Sequence, residues 1–131
     1  MRKEIENWLL QGKEEFDTAK ISFDNKKYFA SAFWCQQSLE KIFKAIYIHK
    51  KKEPTGTTHS LTFLGREINI PKEYLSFLRD LTKEYYLSRY PDVIEDVPYI
   101  TYTKEEIQNY LKKTEEVIKW AESQLKKQSK N

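Results

Sequence analysis

Phe29-Ala30-Ser31-Ala32-Phe33-Trp34-Cys35-Gln36-Gln37-Ser38-Leu39-Glu40-Lys41-Ile42-Phe43-Lys44-Ala45-Ile46-Tyr47 is the stretch that decides the fold. No Gly or Pro interrupts it, and it is long enough for about five helical turns. At about 100° per residue, Tyr28, Ala32, Cys35, Leu39, Ile42 and Ile46 share one side and form a core stripe. The opposite side carries Ala30, Phe33, Trp34, Gln37, Glu40, Lys41, Lys44 and Ala45. A solvated face has no use for Phe33 and Trp34. The helix is therefore expected to pack on its own bundle with one face and on a second surface with the other.

Helical periodicity continues on both sides of this stretch. Ile5, Trp8, Leu9, Phe16, Ala19 and Phe23 predict a first helix from about Arg2 to Phe23, closed by a turn at Asp24-Asn25-Lys26. The second helix spans about Lys27 to Lys51, and Lys50-Lys51-Lys52 suit the negative end of its dipole. Glu53-Pro54-Thr55-Gly56-Thr57 is a break. A short helix holding His59, Leu61, Phe63 and Leu64 follows, with Thr57 or Thr58 as its cap. Pro71 opens a fourth helix with Tyr74, Phe77, Leu78, Leu81 and Tyr85 as its apolar side. Pro91 disfavours helical geometry at Tyr90, so that helix ends near Arg89.

The stretch from Pro91 to Tyr102 reads as the least regular. Thr103-Lys104-Glu105-Glu106 reads as a capping box. It opens a last helix with Ile107, Tyr110, Leu111, Thr114, Val117, Ile118, Ala121 and Leu125 on one face, loosening from about Lys126. The expected architecture is one all-α domain over residues 1–131, an antiparallel up-and-down bundle of four long helices plus one short helix.

Composition agrees. A chain of 131 residues builds a single core, and three Gly with four Pro exclude a turn-rich β protein. The net charge of +3 does not by itself identify a nucleic-acid binder. Positive charge is mostly Lys; the arginines are Arg2, Arg66, Arg79 and Arg89. Cys35 is alone, which excludes an internal disulfide, and its place on the apolar stripe makes it a small buried hydrophobe. With no secretory signal and no long apolar run, the expected compartment is the cytoplasm, away from membrane.

Chemistry concentrates on the fourth helix. Arg79, Lys83 and Tyr86 lie on one face, with Arg89 and Tyr90 near its end. Arg forks onto phosphate oxygens and Tyr stacks on bases. The competing reading is a solvated face whose Arg89 pairs with Asp92. His49 reads as a partly exposed cation near a helix end, and His59 as a local hydrogen-bonding group. No His, Cys or carboxylate pair has metal-ligand spacing, and there is no phosphate-binding glycine loop or serine elbow. The expectation is therefore no metal and no cofactor. Glu95 and Asp96 are adjacent acids, which alone carry no function.

In order and spacing these residues resemble the HEPN domains, named for higher eukaryotes and prokaryotes nucleotide-binding. The resemblance rests on Ala32-Phe33, Gln36-Gln37, Glu40-Lys41 and Lys44-Ala45, then His59-Ser60-Leu61 and Leu64, then Tyr85-Tyr86 and Ser88-Arg89-Tyr90-Pro91-Asp92, with Trp120 in the closing helix. It implies a homodimer built around the middle helices. It also implies either ribonuclease activity of the toxin–antitoxin and defence type or a role as companion subunit of a minimal nucleotidyltransferase. The ribonuclease members carry an Arg followed after four to six residues by His. Here the positions after Arg89 hold Ile94, Glu95 and Asp96, and no His lies beyond His59.

The reading that results is a non-catalytic nucleotide- or RNA-binding companion subunit. Arg89, Tyr90 and Asp92 are its ligand-facing group, with Lys83 and Tyr86 nearby. Gln37, Glu40, Lys41 and Lys44 line the same groove or, with Phe33 and Trp34, the dimer contact. The alternatives are a ribonuclease toxin using another base such as His59, and a purely structural interaction subunit.

Overall fold

The computed structural model describes residues 2–129, with side chains through residue 126. Helix α1 (Lys3–Asp24) carries Glu4 and Glu6 in its first turn, where acids suit the positive end of the dipole. Asn25 and Lys26 turn the chain, Lys26 at φ 62°. Helix α2 (Tyr28–Lys51) then runs back along α1 and stops at Lys52, which takes the left-handed conformation.

Small residues let these two helices approach closely. A Cβ on Gly12 would lie 2.6 Å from Ile42 Cγ1 and 3.0 Å from the Ser38 carbonyl oxygen. Ser38 Oγ donates to the Gly12 carbonyl at 2.7 Å, and Ser31 Oγ to that of Ala19 at 2.8 Å. Helix α7 (Lys104–Ser129) completes the long-helix frame. It lies antiparallel to α1, with Lys13 bridged to Glu122 at 2.8 Å. It runs the same way as α2, since Lys50 reaches Gln124 and Trp120. That is the arrangement of an up-and-down bundle.

The middle of the chain fills the remaining side. Helix α3 (Leu61–Glu67) and helix α4 (Leu75–Thr82) bury Leu61, Leu64, Phe77, Leu78 and Leu81 with Ile68 and Ile70 against α2. The expected single fourth helix is in pieces: a 3-10 turn at Lys72–Tyr74, α4, and a short α5 (Glu84–Leu87). The break falls at Lys83, next to Thr82, whose hydroxyl is engaged with another segment. Thr82 Oγ1 accepts from the Leu61 backbone N–H at 2.9 Å and donates to the His59 carbonyl at 3.3 Å.

The short helix begins at Leu61. Its cap is Ser60, which accepts from the Phe63 N–H at 3.1 Å, in place of Thr57 or Thr58. His59 therefore lies in the loop before the helix. The stretch expected to be irregular holds a one-turn α6 (Pro91–Ile94) and a 3-10 turn at Pro98–Ile100, each opened by its proline. Thr103 Oγ1 accepts from the Glu106 N–H at 3.2 Å, the Thr half of a capping box. Helix α7 is continuous to Ser129, past the expected loosening at Lys126; the rest of that expectation lies outside the described residues.

The two-faced reading of α2 needs correcting. Of its far-side residues Glu40, Lys44 and Ala45 are buried, and Ala30, Phe33, Trp34, Gln37 and Lys41 are half-buried, so the chain itself covers much of the far face. Polar groups tolerate this because each has a partner. Cys35 is fully buried beside Thr114, and burial pushes its thiol up to about 12. Among the described residues no helix is long and apolar enough to cross a membrane.

Candidate functional site

The far face of α2, the loop before α3 and helix α5 meet at one surface. Gln36, Glu40 and Lys44 recur every fourth residue along α2, so their side chains stack in one row. Lys44 Nζ lies 3.1 Å from Glu40 Oε2, with both side chains buried. Gln36 Nε2 donates to Glu40 Oε1 and to the His59 carbonyl, both at 3.2 Å. His59 Nδ1 lies 3.0 Å from Glu40 Oε1. Burial works against ionising Glu40, but the hydrogen bonds from His59, Lys44 and Gln36 and the Lys44 charge outweigh it. Its carboxyl sits below the ordinary value.

An ionised carboxylate only accepts, so His59 Nδ1 carries the hydrogen toward Glu40. Nε2 is then left on the other edge of the ring, on a side chain that is 45% exposed. The imidazole stacks on the Tyr85 ring with centroids 4.0 Å apart and planes 18° from parallel. Its tautomer is set by Glu40 and its plane by Tyr85.

Tyr85 also receives Arg89. The guanidinium carbon of Arg89 lies 4.4 Å from the Phe33 ring centre, 4.6 Å from that of Tyr85 and 4.9 Å from that of Tyr90. Arg89 Nε donates to the Tyr85 carbonyl at 2.8 Å. This is a fixed and exposed cation, held by aromatic faces. Among the described residues no ion pair joins it to Asp92, so the turn pairing considered from sequence does not form. Tyr86 and Tyr90 extend the aromatic surface outward, with ring centres 6.0 Å apart and both side chains exposed.

Of the residues singled out by sequence, the structure thus brings Arg89, Tyr90 and Tyr86 together. Lys83 sits one turn away at the start of α5, and Asp92 is exposed in α6. Gln37 donates to Gln36 Oε1 at 2.7 Å and accepts from Lys41 Nζ at 3.2 Å, while Lys41 also bridges to Glu15 at 3.0 Å. Glu40 and Lys44 lie beneath the surface. They support the site from below and do not line an open groove. Phe33 and Trp34 are half-buried and pack edge to face at 5.0 Å. Phe33 lies under Arg89, and Trp34 packs on the core, so both have partners within the chain.

Two members, His59 and Tyr85, lie outside the ligand-facing group read from sequence. Sequence assigns His59 to local bonding, whereas its partner Glu40 is 19 positions away. It assigns Tyr85 to the apolar side of its helix, whereas Tyr85 is the ring on which both His59 and Arg89 rest. Among the described residues no cluster of His, Cys, Asp and Glu has the arrangement to hold a metal ion.

Comparisons with known proteins agree with this architecture. The protein TT1696 from Thermus thermophilus superposes with a TM-score of 0.84 at 22% identity, covering 94% of this chain and 99% of that one. ST0689, an archaeal HEPN homologue, superposes with a TM-score of 0.79 at 28% identity, covering 94% and 98%. A search of curated proteins finds no match. The family model described as HEPN domain matches residues 5–124, nearly the whole bundle and all of the site. The chain belongs to the HEPN domain family.

Proposed function

We propose that this HEPN domain is a nucleotide- or RNA-binding subunit, with Arg89 as its phosphate contact and Tyr86 and Tyr90 as stacking surfaces. One observation carries the reading: the Arg89 guanidinium rests against three aromatic rings and, among the described residues, forms no ion pair with a carboxylate. An Arg so placed keeps donors available to a phosphate, and neighbouring tyrosines suit unstacked bases.

The resemblance drawn from sequence adds the working context, a cytoplasmic companion of a minimal nucleotidyltransferase that acts as a homodimer. Exposed Val93, Val97, Tyr99 and Ile100 lie in the segment that follows Tyr90 and supply apolar surface for such an assembly. Titration of the purified protein with single-stranded RNA and with nucleotides tests the binding reading. Saturable binding lost in Arg89→Ala supports it, and no binding by the wild type rejects it.

A specific observation favours a second reading, a metal-independent ribonuclease. A buried carboxylate orients the His59 ring, and Arg89 packs on the same Tyr85 ring. A base held by a third group is the arrangement that activates a hydroxyl nucleophile. Cleavage of RNA in the presence of chelator, abolished by His59→Ala, would establish this reading over the first.

A further inference from the structure

His59 stands outside the ligand-facing group read from sequence, yet its ring is fixed at one nitrogen and on one face. Its Nδ1 is engaged by Glu40 at 3.0 Å, and its ring plane is held by Tyr85. Glu40 is itself matched by Lys44 at 3.1 Å, so its charge is offset where an anion would approach the imidazole. Arg89 is anchored on the same Tyr85 ring through its guanidinium and through the backbone carbonyl. The imidazole and the guanidinium thus pack against one and the same aromatic ring. A phosphate at the solvent edge of that ring can take a charge-assisted hydrogen bond of about 2.7–2.9 Å from each.

We propose that His59 is a second phosphate-contacting residue, so that one phosphodiester of a single-stranded nucleic acid is gripped between His59 Nε2 and the Arg89 guanidinium. In this contact Nε2 donates to a phosphate oxygen a proton taken from solvent at its exposed edge, while Nδ1–H stays on Glu40. The proposal rests on the binding reading above and deepens it. It commits to a strand because the contacting groups lie on an open surface bordered by the exposed rings of Tyr86 and Tyr90. Successive bases can stack on such a platform, whereas a free nucleotide is usually enclosed in a cleft.

The test is fluorescence anisotropy of a labelled single-stranded uridine oligonucleotide against wild type, Arg89→Ala and His59→Ala, with melting curves as the control for folding. A nitrogen-15 NMR titration of the histidine rings in the wild type accompanies it. The expected result is a loss of affinity of about tenfold in His59→Ala. The His59 Nε2 resonance should move on adding oligonucleotide, and that of His49 should stay. If His59→Ala fails to fold, the NMR titration decides alone.

Normal affinity in His59→Ala with a stationary Nε2 signal overturns the proposal while Arg89→Ala still reports on the binding reading. No binding by the wild type overturns both. Displacement of the oligonucleotide by an equal concentration of uridine monophosphate overturns the assignment to a strand.

Discussion

Arg89 closes back on Tyr85 twice, its Nε donating to the Tyr85 carbonyl at 2.8 Å and its guanidinium carbon lying 4.6 Å from the centre of the Tyr85 ring. The backbone bond fixes the side chain one turn back along the chain, and the ring supports the cation from below. What remains faces solvent. The residue is therefore preorganised for an anion, with less rotamer freedom to lose on binding than a free surface Arg.

Arg89→Ala is expected to weaken binding of single-stranded RNA or nucleotide by about tenfold to a hundredfold, the equivalent of one charge-assisted contact. The melting temperature should change little, because Arg89 is exposed. Arg89→Lys should restore only part of the affinity, since an ammonium neither stacks on the rings nor forks onto phosphate. Calorimetric titration of the three proteins reads this out. Equal affinities would return Arg89 to a structural role.

Chelator-treated, purified protein is expected to leave RNA intact, because the family's ribonuclease spacing of Arg and His is absent after Arg89. Gel analysis of labelled RNA over hours checks it. Cleavage by wild type that disappears in His59→Ala would transfer the assignment to the ribonuclease reading, with the same mutant excluding contamination.

Gly12→Ala should destabilise the fold by about 1–3 kcal/mol, the usual effect of overpacking. The added methyl would meet Ile42 Cγ1 at 2.6 Å, which can shift, and the Ser38 carbonyl oxygen at 3.0 Å, which belongs to the backbone of α2 and cannot easily yield. Urea unfolding measures the difference. Wild-type stability in the variant would mean that α1 and α2 do not approach this closely.

Glu84 should make stability depend on pH near neutrality. Burial pushes its carboxyl up to about 7, with Tyr102 Oη donating to it at 2.5 Å and partly opposing that rise. The folded state then holds a proton that the unfolded chain releases near 4.5. The stabilisation is fully present below about 4.5 and is lost as pH rises through about 7. Glu84→Gln keeps an acceptor for Tyr102 without the titration. Between those pH values the variant's stability should fall less steeply than that of the wild type in urea unfolding. Parallel curves would show that Glu84 titrates normally.

Analytical ultracentrifugation at micromolar protein is expected to show a homodimer. Because Phe33 and Trp34 already pack within the chain, the diagnostic variant is Val97→Asp with Ile100→Asp, both at exposed positions. A monomeric variant from a dimeric wild type supports assembly through this segment. A monomeric wild type rejects the dimer.

The amino-acid order alone determined the helical class and the bounds of the long helices α1 and α2 and the start of α7. Apolar residues at helical spacing must be buried on one side, as Leu39, Ile42 and Ile46 are, and a proline ends a helix wherever the chain goes next. It also placed Arg89, Tyr86 and Tyr90 together, because they are near neighbours along the chain. Tertiary structure alone decided what meets that turn. His59 reaches Glu40 across 19 positions and Tyr85 across 26, and each contact exists only because α3 and α5 dock on the same face of α2. Periodicity reports which side of a helix is apolar. It carries no record of which distant helix will cover a given polar residue. Glu40 and Lys44 therefore read as lining a groove or dimer contact when they are a buried support, and Phe33 reads as a dimer contact when it is the floor beneath Arg89.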